Sequence, residues 1–242
     1  MSQDGRFPRT RHSVVLATHH GDAGARHAAW DALVRAYWKP VYKHLRLAWH
    51  RSPDAAEDGT QEFFARAMEK EFFAGFDPQR ARFRTFLRVC LDRFAHDEAT
   101  AARRHKRGGG RAPLPLDFAG AEHELAAGGP TPPEELEAAF QREWTKSLFE
   151  QALADLGAAA RASGCDAWFR AFCRYDLEAR ERGEALTYQD LAREFAVPVT
   201  QVTNWLHTAR SRLRQHLLTR LAELCADDAE FRDEARLLLG DA

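Results

Sequence analysis

The sequence predicts an all-helical fold made of two helical domains, and three observations carry that reading. Apolar residues recur in steps of three and four along most of the 242-residue chain. No segment sustains the apolar–polar alternation of a half-buried strand. A Gly- and Pro-rich stretch at 108–131 then interrupts the periodic pattern near the middle and reads as a connector.

The elements follow in order. Residues 1–25 form an N-terminal extension of weak pattern. A helix is expected from Arg26 to Trp49, with Trp30, Leu33, Val34, Tyr37, Val41 and Leu45 on its apolar face and a kink at Pro40. Ser52, Pro53 and Asp54 supply cap, first-turn proline and first-turn acid for the next helix, which carries EDGTQEFFARAMEKEFF at 57–73. Glu57, Asp58, Gln61 and Glu62 form its acidic, amide-bearing face, while Phe63, Phe64 and Met68 point inward or sideways. After the turn Gly75–Pro78, a helix from Arg82 to about His105 buries Phe83, Phe86, Leu87, Cys90, Leu91 and Phe94. Arginines and a lysine crowd its C-terminal end, where they suit the macrodipole.

Beyond the connector, Thr131–Glu134 opens a helix running to about Arg161, and another is expected at 165–180. The stretch 186–221 then reads as two helices and a tight turn. Thr187 caps the first, with Asp190 three residues on, and Pro198 stops it. Val202, Leu206, Ala209, Leu213 and Leu217 form the packing stripe of the second. Its other faces carry Thr200, Gln201, Thr203, Asn204, His207, Arg210, Arg212 and Arg214, short polar groups first and arginines behind. Gln and Asn can bond adenine bidentately and arginines reach phosphates, so this order suits a helix entering the major groove by its N-terminal end. Residues 223–242 read as one more short, acidic amphipathic helix.

Composition narrows the function classes. No run of about 18 apolar residues occurs, so no spanning helix is expected. The apolar run Val14–Ala17 is too short for a secretory signal, which points to a cytoplasmic protein with no membrane partner. Cys90, Cys165, Cys173 and Cys225 show neither a CxxC pair nor zinc spacing with histidine. No metal, cofactor or disulfide is therefore expected, and Cys90 is read as a buried thiol. No carboxylate or histidine constellation has the spacing of a shared catalytic site, so the chain is not read as an enzyme. The net charge of −1 conceals segregation: +8 over 1–112, −7 over 113–186, +3 over 187–222 and −5 over 223–242. Two basic blocks around an acidic one suit a long polyanion touched at two places.

Three motifs in this order resemble bacterial RNA polymerase sigma factors of the extracytoplasmic-function type. AAEDGTQEFFARAM, at 55–68, is similar to the family's A-E-D-x-x-Q-x-x-F pattern. FRTFLRVCLDRFAHDEATAARRHKR, at 83–107, resembles the F-R-x-W-L … D-x-x-R-R helix, with Phe86 at the tryptophan and Arg93 at the usual asparagine. YQDLAREFAVPVTQVTNWLHTARSRLR, at 188–214, resembles the family's region-four motif, with Thr208 where an arginine is usual. TRHSVVL at 10–16, YWKPVY at 37–42 and KRGGG at 106–110 are similar to a planctomycete-type subgroup.

The resemblance implies a region-two domain at 26–107, a linker at 108–131, a region-four domain at 132–222 and an acidic C-terminal helix at 223–242. It implies promoter DNA and core RNA polymerase, through the clamp of its largest subunit, as partners. An anti-sigma factor or a regulatory kinase enters as a further partner. Glu57, Asp58 and Gln61 would face the polymerase. Phe83, Phe86, Arg88, Asp97, Arg103 and Arg104 would act at the minus-ten element, where a flipped base stacks on an aromatic ring. Thr200, Gln201, Thr203, Asn204, His207, Arg210 and Arg214 would read the minus-thirty-five element. Thr60 is the candidate phosphosite, and the acidic block is expected to repel phosphates in the free factor through Glu122, Glu124, Glu134, Glu135 and Glu137. The alternative is a stand-alone helix-turn-helix regulator with a helical sensing or dimerisation domain, which would bind a palindromic site without polymerase.

Overall fold

A computed structural model describes residues 23–102, 114–129, 131–164 and 166–240, and the regular structure of these residues is all helical, with no strand among them. They divide into two compact units. One holds the described residues up to Ser147 together with those from Leu221 onward, and the other spans Leu148–Arg220.

In the first unit, α1 (Ala23–Leu47) continues through Pro40 and buries Trp30, Leu33, Tyr37, Val41 and Leu45. Ser52 caps α2 (Pro53–Glu69) by accepting the Ala55 N–H at 3.3 Å, as the Ser-Pro-Asp start leads one to expect. Gly59 faces Arg51 and Leu45, and a Cβ there would press on the Arg51 guanidinium and lie 3.2 Å from Leu45. α2 stops four residues short of the expected end. Glu71 turns into the left-handed region at φ 49°, and a 3₁₀ turn, Phe72–Gly75, sends Phe73 inward. There the Phe73 ring meets Trp30 at 5.4 Å and Phe83 of α3 (Phe83–Ala102) at 5.3 Å. Phe83, Leu87, Leu91 and Phe94 are the buried stripe of α3. Cys90 is only half-buried, although that burial raises its thiol pKa.

The stretch expected to be a connector contains a docked helix, α4 (Phe118–Gly128). Asp117 caps it by accepting the Gly120 N–H at 2.9 Å. Phe118 packs on Trp38 and Tyr42 with ring centroids at 5.5 and 5.0 Å. The glycines and prolines flag breaks correctly at its two ends. The residues between them become ordered through partners some eighty positions earlier, which local composition does not reveal.

After a 3₁₀ turn, Pro133–Glu135, comes α5 (Leu136–Ala162). Its first three turns belong to the first unit, where Trp144 stacks on Tyr37 at 6.3 Å and Phe140 meets His44 edge-on at 5.8 Å.

The second unit is built on Leu148, Ala152, Leu156 and Ala160 of α5 and on Trp168, Ala171 and Phe172 of α6 (Ala167–Phe172). α6 runs on as a π-helical stretch, Cys173–Glu178, and a last turn, Ala179–Glu181. Leu191 and Ala192 of α7 (Tyr188–Glu194) and Val202, Leu206, Ala209, Leu213 and Leu217 of α8 (Val199–Leu224) complete the core. The division between units thus falls inside α5 and α8.

The expected C-terminal helix is α9 (Asp228–Leu239), and it is part of the first unit. Glu230 accepts the Phe83 N–H at the start of α3 and the Ala226 N–H, both at 2.8 Å. Glu234, one turn on, is buried against Arg84, with Arg82 at 3.4 Å. Burial pushes the Glu230 carboxyl pKa up, against the two N–H donors that lower it. Among the described residues, no helix is long and apolar enough to cross a membrane.

Candidate nucleic-acid interface

The candidate interface is best formed in the second unit. Thr187 and Asp190 make a reciprocal capping box at the start of α7, with the Asp190 N–H on the Thr187 hydroxyl at 3.2 Å and the Thr187 N–H on the carboxylate at 2.9 Å. α7 ends in a left-handed turn at Ala196, φ 53°, and the Val197 N–H reaches back to the Ala192 carbonyl at 3.0 Å. Pro198 then supplies the carbonyl that receives the first amides of α8, from Gln201 at 2.9 Å and Val202 at 3.3 Å. It stands just before that helix rather than inside it. Phe195 and Trp205, ring centroids at 6.0 Å, close the angle between α7 and α8.

With the apolar stripe of α8 buried, the remaining face looks out. Thr200, Gln201, Thr203, Asn204, His207, Arg210 and Arg214 are all exposed residues. Thr203 spends its hydroxyl on the Val199 carbonyl at 3.1 Å. Arg210 differs from the expectation, because its guanidinium is bound to Asp176 by two hydrogen bonds of 2.9 Å. Those bonds raise its already high pKa. Arg212 lies over the Trp168 ring at 5.0 Å, so its charge is held at a cation–π contact.

The minus-ten candidates fare less uniformly. Phe83 is 1% exposed and is packed by Tyr37, Phe73 and Phe76, so it is a core residue and not a base platform. Phe86 is half-buried beside Phe76 at 5.4 Å and keeps an open side. Arg88 donates to Asp92 at 3.2 Å and lies 3.9 Å from Glu137. Asp97 is exposed. Arg103 and Arg104 lie outside the described residues.

On α2, Asp58 is exposed and Glu57 and Gln61 are half-buried. Met68, expected to point inward or sideways, is 48% exposed and falls on the Asp58–Gln61–Ala65 face at steps of three and four. Thr60 cannot serve as a phosphosite in the folded chain. It is 0% exposed, and its hydroxyl donates to the Ala56 carbonyl at 2.7 Å.

The acidic block is corrected too. Glu122 receives Tyr42 at 2.7 Å and Arg46 at 2.5 Å, and Glu124 receives Lys39, Lys43 and Lys146 at 3.1, 2.6 and 2.8 Å. These two carboxylates neutralise the basic face of α1 instead of repelling a distant phosphate. Glu134, Glu135 and Glu137 remain exposed. Among the described residues, no group of three or more His, Cys, Asp or Glu is placed to hold a metal ion.

Sequence reasoning missed Asp176 and the tyrosines beside it. Asp176 reads as one more acid in an acidic stretch, and its partner lies 34 positions later, beyond any local periodicity. Comparison with protein-family models, with curated proteins and with solved structures finds no match to this chain.

Proposed function

We propose that the chain is a sigma factor of the extracytoplasmic-function type, which binds core RNA polymerase in the cytoplasm and directs promoter-specific initiation. The observation that carries the reading is the outward face of α8. A capped helix, a tight turn and a second helix present Thr200, Gln201 and Asn204 first and Arg214 behind them, all exposed. In this reading Gln201 and Asn204 contact base edges of the upstream element and Arg214 a phosphate. Phe86 and Asp97 act at the minus-ten element, with Phe83 holding the helix beneath them. The Asp58–Gln61–Met68 face docks on the polymerase, where an adaptable thioether among polar groups suits a protein partner.

The test is run-off transcription with core polymerase on a pool of genomic promoters, with and without the chain. Discrete transcripts that depend on the chain are expected. Gln201→Ala and Asn204→Ala should each remove about 1–3 kcal/mol of discrimination at one upstream position. No chain-dependent transcript, together with tight binding to a palindrome in the absence of polymerase, would replace this reading with that of a stand-alone regulator.

A further inference from the structure

Arg210 stands in the middle of the outward stripe Thr203, His207, Arg210, Arg214, and it is already occupied. Nε and Nη2 donate to the two oxygens of Asp176 at 2.9 Å each. Nη1 reaches the Tyr188 hydroxyl at 3.5 Å, and the guanidinium lies 5.9 Å from the Tyr175 ring centroid. The seat comes from the π-helical stretch, where successive residues hold different parts of the unit. Arg174 binds Glu184 through two nitrogens at 2.9 and 2.8 Å and approaches Glu194 at 3.6 Å. Tyr175 meets Tyr188 at 5.1 Å, and Asp176 takes Arg210. π turns are rare and concentrate at functional positions.

A planar fork bound bidentately to a carboxylate has its strongest geometry satisfied. The Asp176 side chain is only 10% exposed, and the other cation near it, Arg180, lies at 3.8 Å and is 78% exposed. A phosphate could take the Nε–Nη2 edge of Arg210 only by leaving that carboxylate desolvated with a weak partner.

We propose that Asp176 is a positioning residue for duplex recognition. It withholds Arg210 from the phosphate backbone and uses it as a strut between the π-helical stretch and α8, so that the phosphate contact falls to Arg214. The proposal deepens the function proposed above and rests on it.

The experiment measures duplex DNA affinity of the full chain against salt. Each phosphate contact contributes about 0.9 to the slope of log K on log salt. Arg214→Gln should flatten the slope by about 0.9. Arg210→Gln should lower affinity severalfold with the slope unchanged. Asp176→Asn should steepen the slope by about 0.9 as the released fork finds a phosphate, and Asp176→Glu should restore the original slope. A slope flattened equally by Arg210→Gln and Arg214→Gln, with Asp176→Asn leaving it unmoved, would overturn the proposal. Should Asp176→Asn fail to fold, the two arginine variants and the Arg210 Nε–H resonance decide: a resonance that shifts and broadens when duplex is added places Arg210 on DNA and ends the proposal. Absence of chain-dependent transcripts in the run-off experiment would instead remove the parent reading, and this proposal with it.

Discussion

α8 and the first unit handle their polar and aromatic groups in opposite ways. On α8 the short polar side chains and Arg214 face water from one continuous helix surface, while Arg210, Arg212 and Arg220 are held by neighbours. In the first unit one aromatic ring and several basic side chains turn inward or are covered instead. Phe83 enters the core, Lys39, Lys43 and Arg46 are covered by carboxylates of α4, and Arg82 and Arg84 face Glu234. The contrast shows where a polar pattern can be read directly. α8 lays one stripe on its own unit and leaves the rest outside, so its amphipathic pattern sorts the residues. α3 has a neighbour on several sides, and its aromatic pattern leaves open which ring is core and which is surface.

The largest effect that would test this contrast lies at Phe83. Phe83→Ala should destabilise the chain by about 3–5 kcal/mol, read as a lowered denaturant midpoint. Gln201→Ala, on the open face, should stay within about 0.5 kcal/mol of the unaltered chain. A stable Phe83→Ala variant that had lost nucleic-acid binding would return that ring to the interface and break the contrast.

Next comes the acid response of the α1–α4 contact. Burial alone would raise the Glu124 carboxyl, but hydrogen bonds from Lys146, Lys43 and Lys39 outweigh it and bring the pKa from the ordinary 4.5 to about 2. A carboxylate depressed on folding stabilises fully above its unfolded pKa and loses that contribution as pH falls through the folded one. Stability should therefore drop between pH 4.5 and about 2. The loss should be about 2–3 kcal/mol, less than the full shift implies because the carboxylate is partly solvated. Glu124→Gln should remove most of that step from a pH series of urea melts. An unchanged acid step would mean that the lysines are not spent on α4.

The smallest effect sharpens the other side. Ala196 holds a left-handed backbone in the turn that presents α8, a conformation that costs a residue with a Cβ about 1–2 kcal/mol and glycine little. Ala196→Gly should raise stability by about 1 kcal/mol, partly offset by glycine's freedom in the unfolded chain, while leaving the α8 face intact. Lower stability would show that the Ala196 side chain makes contacts that outweigh the strain.

By itself the sequence determined the helical class, the Ser52 cap of α2, the capping box of α7, the break at Pro198 and the buried stripe of α8 from Val202 to Leu217. All of these depend on residues within a turn or two of one another, where spacing and capping chemistry act directly. Tertiary structure alone decided that α4 is docked, that Thr60 and Phe83 are sealed, that α9 caps α3, and that Asp176 claims Arg210. Each of those outcomes depends on which surface lies opposite. A side chain's own sequence neighbourhood does not specify the partner that dehydrates it or completes its hydrogen bonds.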